Sequence, residues 1–220
     1  MCGASVPTTV GRREVWDVHG RPVVRKVEQV GFEVAEGPEL RLRSGKVVVC
    51  GPEMLLGSSC RALARTLAPG SYATFAVIAL LAEGPLTAML GVRVRDMTAE
   101  RWEPAEPAGN WWFRWWRRTG WPGLAADHGL GCIADEATRR SLREAQLDEW
   151  TEELDAQGPP VQELGREHGG VVTSVSGRGD GLYPIMWGMV GRVPVSLVVD
   201  FDVVDWGGVP PGVQVRNPWS

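Results

Sequence analysis

The stretch Leu182 to Val204, LYPIMWGMVGRVPVSLVVDFDVV, holds two β-favouring runs on either side of Gly191-Arg192. Short runs rich in β-branched and aromatic residues, bounded by glycine, read as strands, and a two-residue break between them reads as a hairpin. Gly-Arg is a poorer two-residue turn than Asn-Gly, yet it separates Leu182 to Val190 from Pro194 to Val204. Along the second run Val195, Leu197, Val199, Phe201 and Val203 alternate with Ser196, Val198, Asp200 and Asp202. One face is therefore core, and the other carries carboxylates. Closing the hairpin at Gly191-Arg192 sets Tyr183 opposite Asp200 and Gly181 opposite Asp202. Asp180 then enters the end of the sheet that holds both strand carboxylates.

The rest of the chain repeats this pattern. Val23 to Ala35, Glu39 to Leu42 and Lys46 to Cys50 are short β-favouring runs divided by Gly-Pro and Ser-Gly. Tyr72 to Ala82 and Pro85 to Val94 form a pair around Glu83-Gly84, and Val171 to Val175 is a further strand. Two helices are expected. Ser58 or Ser59 caps a short one near 59–67, ended by Ala68-Pro69-Gly70. Asp135 caps a long one near 136–156, where Leu142, Ala145, Leu147, Trp150 and Leu154 recur at helical spacing until Gly158-Pro159-Pro160. Between Met97 and Pro122 no regular element is expected. The class is α+β, mainly antiparallel β, as a sandwich or a strongly bent sheet. Residues 1–220 read as a single domain, with 1–20 as a poorly ordered extension.

Composition narrows the functions. The chain has 220 residues, of which 44% are hydrophobic and 23% charged, and a net charge of −4. That length buries a sizeable core without disulfides or metals, and that charge gives no general attraction for nucleic acid or anionic lipid. Cys2, Cys50, Cys60 and Cys132 show no Cys-x-x-Cys spacing, which argues against a zinc knuckle or a disulfide framework. The first twenty residues lack the apolar core of a signal peptide. The longest apolar run, 72–82, is too short to cross a bilayer as a helix. A cytoplasmic protein without nucleic-acid or membrane partners is expected.

Three constellations could carry chemistry. The first is the set Asp127, Asp135, Asp180, Asp200 and Asp202, with Tyr183 beside it. Clustered carboxylates hold a hard cation, here through Asp180, Asp200 and Asp202, or raise one another's pKa until one serves as acid or base. The plainer alternative is that Asp180 organises a glycine turn and that Asp200 and Asp202 lie on a solvated face. The second is DHGLGCIAD, 127–135, where Cys132 lies near His128 as a nucleophile would lie near its base. A buried Cys132 and a helix-capping Asp135 are the structural alternatives. The third is NWWFRWWRRTGW, 110–121, whose Trp112, Trp115 and Trp116 alternate with arginines. With Arg178 and Trp187 they could bind a ligand or a partner protein, or pack as a flap or a homo-oligomer contact. The tripeptide Arg178-Gly179-Asp180 carries no adhesion meaning in a chain without secretion features.

RSGKVVVCGPE (43–53), APGSY (68–72), ADHGLGCIAD (126–135) and SGRGDGLYPIMWGMVGRVPVSLVVDF (176–201) occur in this order. Together they resemble a bacterial family catalogued as domain of unknown function 4241. Asp127, Gly129, Cys132, Asp135, Asp180, Gly181 and Tyr183 match its pattern. Arg178 stands where that family often has Trp, and His128 where it usually has a small or neutral residue. The resemblance implies no established activity. The expected function is a β-rich domain that binds a partner protein or a small ligand through the Trp-rich segment and the Gly-Asp-Gly hairpin edge, without a cofactor. The alternative is a hydrolase or acid-base enzyme using the aspartates, with a divalent cation as its cofactor.

Overall fold

A computed structural model describes residues 8–9, 14–16, 22–24, 29–58, 60–109, 123–126, 128–152, 154, 158–165 and 170–204. The strands are β1 (Thr8–Thr9), β2 (Glu14–Trp16), β3 (Pro22–Val24), β4 (Gln29–Glu36), β5 (Leu40–Leu42), β6 (Val47–Cys50), β7 (Gly70–Leu81), β8 (Gly84–Arg93), β9 (Arg101–Pro104), β10 (Gly123–Ala126), β11 (Leu130–Asp135), β12 (Gln162–Glu163), β13 (Val171–Val175), β14 (Gly181–Val190) and β15 (Val193–Asp200). Every pairing among them is antiparallel. A nine-stranded sheet runs β1-β4-β7-β8-β15-β14-β10, with β5 added to β7 and β9 to β14. A four-stranded sheet runs β12-β13-β11-β6, and β2 pairs β3. Among the described residues no helix is long and apolar enough to cross a membrane.

The two larger sheets share one core. Leu90, Val92, Ile185, Trp187, Leu197 and Val199 from the large sheet meet Val47, Val49, Ile133 and Val172 from the small one. Each such side chain contributes about 1.5–3 kcal/mol when fully buried. The small sheet is covered on both faces, because Val48, Cys50, Cys132, Ala134 and Val171 on its other face pack under Leu55, Cys60, Leu147 and Leu164. Two-sided burial explains why VVVC in β6 is uniformly apolar instead of alternating. A third cluster, Phe75, Val77, Met89, Met186 and Val198, lies on the outer face of the large sheet.

The β14–β15 hairpin closes at Gly191-Arg192, but its register slips by one residue between Gly188 and Met189, so that Ile185 faces Val199. A side chain at Gly188 would lie 2.9 Å from Ala99 Cβ and collide with Ser196 Oγ. Glycine therefore sits where the strand bulges against its neighbours. The slip corrects the expected pairing of Tyr183 with Asp200 by one position.

Neither expected helix forms as drawn. In place of one long helix over 136–156 there are two short ones, α1 (Glu136–Ser141) and α2 (Glu144–Glu152). Leu142 is extended at ψ 144°, and the Ser141 hydroxyl donates to the Thr138 carbonyl at 2.8 Å. The Arg143 N–H donates to the Gln146 side chain at 3.2 Å, starting a new helix from a side-chain cap. The segment near 59–67 is not helical where it is described. Its N–H groups pair outward, Leu63 to Val47 O at 2.7 Å, Ala64 to Glu106 O at 2.7 Å and Leu67 to Gly45 O at 2.8 Å. Tertiary hydrogen bonds to β6, Gly45 and Glu106 thus replace the helical ladder expected between the serine cap and Ala68-Pro69-Gly70. The strand β9, paired with β14, falls within 97–122, where no element is expected from sequence.

Candidate functional site

Two glycine-rich loops meet at one end of the sandwich. The first joins β10 to β11 through His128 and Gly129, both at positive φ (62° and 66°), and the second joins β13 to β14 through 176–180. The Gly129 N–H donates to the Asp180 carboxylate at 2.8 Å, and the Ser176 N–H donates to the Gly129 carbonyl at 2.8 Å. The second loop also holds itself together. The Ser176 hydroxyl donates to Gly179 O at 2.6 Å, and the Tyr183 hydroxyl donates to the same carbonyl at 2.6 Å.

Tyr183 is buried where β15 leaves β14, its ring edge-on to Phe201 with centroids 5.3 Å apart. Burial pushes its phenol above the ordinary value; a hydrogen bond to Ser176 opposes this, and the charges of Asp202 and Asp180 add to it. The hydroxyl therefore stays protonated at neutral pH and acts as a donor. Arg178 is exposed and pairs with Glu83 in the β7–β8 turn at 3.6 Å. Asp202 is exposed at φ 50°, and its N–H donates to the Asp200 carboxylate at 3.0 Å. The rim thus presents Arg178, Asp180 and Asp202 above a buried Tyr183.

The other candidates fall elsewhere. Asp135 ends β11, about 20 Å along the strand from Gly129. It is fully buried, accepts from the Ser44 hydroxyl at 2.5 Å and the Ser44 N–H at 3.1 Å, and caps α1 through the Thr138 N–H at 3.3 Å. Asp200, two residues beyond Val198 on β15, shares its outer face of the large sheet and is itself buried, whereas Tyr183 belongs to the inner core. Among the described residues no three of His, Cys, Asp and Glu are grouped as metal ligands. Trp187 is buried in the shared core, with the Arg65 guanidinium 5.8 Å over its ring. Asp127, Trp112, Trp115 and Trp116 lie outside the described residues.

Cys132 is completely buried on the outer face of the small sheet, facing Cys50 across the β6–β11 pair. Cys60 in turn donates to Cys50, with the two sulfurs 2.6 Å apart. Sequence reasoning missed this cluster, because no spacing rule links positions 50, 60 and 132. Cys50 and Cys132 stand next to apolar residues in sequence, but Cys60 lies between Ser59 and Arg61, so nothing local marks it.

No curated protein and no solved structure matches the chain significantly. A family described as "Protein of unknown function (DUF4241)" matches residues 40–192, from the start of β5 to the β14–β15 turn. The match takes in both glycine-rich loops and two of the cysteine-bearing segments that pair in the small sheet. Covering more than half of the chain, it establishes that the protein belongs to this family of unknown function.

Proposed function

We propose that the chain is a binding domain, and that the glycine-rich end of the sandwich is the surface it offers to a small polar ligand or a partner protein. The observation that carries this reading is the bond from the Gly129 N–H to Asp180. It docks two loops distant in sequence at one end of the sandwich, where the charges of Asp202, Asp180 and Arg178 all act on Tyr183. The strand β10 leads into the first of these loops, its Ala126 paired with Gly181 at the start of β14. Acid-base chemistry by the aspartates finds less support. Asp135 is engaged in capping at the far end of β11, and Asp200 turns away from Tyr183.

The test is a ligand and partner screen of the wild-type chain, repeated with an Arg178→Ala/Asp202→Ala variant and with a Trp112→Ala/Trp115→Ala/Trp116→Ala variant. Both side chains of the first pair are exposed, and an alanine at the φ 50° position of Asp202 should cost only about 1–2 kcal/mol, so the variant should still fold. Binding by the hits should weaken at least tenfold, about 1.4 kcal/mol. Affinities that stay the same in both variants for every hit would exclude this surface.

A further inference from the structure

At the small sheet, Cys50 on β6 and Cys132 on β11 are direct partners. Cys60 folds back from the loop after β6 to place its sulfur 2.6 Å from that of Cys50. All three are free cysteines. All three are buried, but Cys132 is 0% exposed, whereas Cys60, 5% exposed, lines a cleft of about 380 Å³. The other walls of that cleft carry Lys46, Arg61, Arg139 and Arg140 against one carboxylate, Glu136. A pocket with such an excess of cations attracts anions, and guanidinium groups pair readily with carboxylates.

We propose that Cys60 and Cys50 are a redox-active dithiol, and that the cleft receives a small carboxylate-bearing disulfide as its oxidant. The Cys60 thiolate attacks one sulfur of that disulfide. A bond forms between Cys60 Sγ and that sulfur, the small molecule's S–S bond breaks, and the departing thiolate takes the proton that Cys60 released. Cys50 then attacks Cys60 Sγ, which closes the Cys50–Cys60 disulfide and releases the second small thiol with the proton from Cys50. The protein loses two electrons and two protons, and the small disulfide becomes two thiols.

The surroundings assign the order of attack. Cys60 lines the cleft, in the same wall as the Arg139 guanidinium. Burial, reinforced by hydrogen bonds to the Cys132 and Cys60 thiols, pushes the Cys50 thiol well above its ordinary value. Such a sulfur suits the second step, in which its target is already in contact.

The test uses the full chain with Cys2→Ser, incubated with oxidised glutathione, then alkylated and mapped by mass spectrometry. The expected result is loss of two thiols, linkage of the peptides holding Cys50 and Cys60, and no glutathione retained. With Cys50→Ser added, one glutathione should stay trapped on Cys60; if the serine variant does not fold, Cys50→Ala serves the same purpose. A Lys46→Ala/Arg140→Ala pair should slow the reaction with glutathione disulfide at least fivefold and leave that with cystamine, a cationic disulfide, no slower. Three results would each overturn the proposal: thiols that react only after unfolding in urea, linkage of Cys50 to Cys132, or equal slowing of both disulfides.

Discussion

At Gly177 the backbone stands at φ 55°, and a Cβ there would press on Val203 Cγ2 and lie 2.5 Å from the Thr87 carbonyl oxygen. Gly191 at the hairpin turn has the same φ, yet a Cβ would meet nothing within 4 Å. A left-handed conformation costs an alanine about 1–2 kcal/mol, while overpacking adds about 1–3 kcal/mol. Gly191→Ala should therefore cost about 1 kcal/mol, and Gly177→Ala about 3 kcal/mol, read from urea midpoints at unchanged m-value. Equal losses would show that Gly177 is not pressed between β8 and the segment after β15. Both glycines are plain in the sequence as turn signals. Their different steric settings are not, because the atoms that crowd Gly177 come from positions 87, 201 and 203.

The junction of β11 and α1 concentrates charge in a buried place. The Glu136 carboxylate accepts from Arg139 Nε at 2.7 Å and from Arg140 Nε at 2.9 Å. Burial pushes its pKa up, but the hydrogen bonds and charges of the two arginines outweigh this and hold it below the ordinary carboxylate range. A carboxyl lowered in the folded state contributes stability that is present above its unfolded value of about 4.3 and lost as pH falls through the folded value. Glu136→Gln should thus cost about 1–3 kcal/mol at pH 7, with the gap to wild type closing as urea melts move below about pH 4. Arg140 is 70% exposed in its side chain, so Arg139 carries most of the effect. A gap that does not change with pH would remove the ion pair from the account. The Asp135 cap here was legible as Asp before Glu-Ala-Thr. The break at Leu142 was less so, since its helical spacing carries straight on to Leu147.

On the scale of the whole molecule, the two larger sheets share a core, so removing side chains from it should weaken both together. Leu197→Ala should cost about 2–5 kcal/mol, while Val193→Ala, at a position 40% exposed, should stay within about 0.5 kcal/mol. Far-UV circular dichroism and tryptophan fluorescence should report one coincident transition in each case; separated transitions would show that the layers unfold independently. Strands such as β7, β8, β13, β14 and β15 were legible from sequence alone, because alternation and glycine punctuation are local properties of the chain. The same local information placed the hairpin turn and marked both glycine loops. Four features were decided only by the tertiary structure: the strap at 60–67 on β6, the slip at Gly188, the meeting of Gly129 with Asp180, and the gathering of Cys50, Cys60 and Cys132. Each depends on partners tens of residues away in the chain or, for Cys60, on a fold-back that no period describes. Sequence periodicity records which way a side chain faces, and only the folded chain decides what it faces.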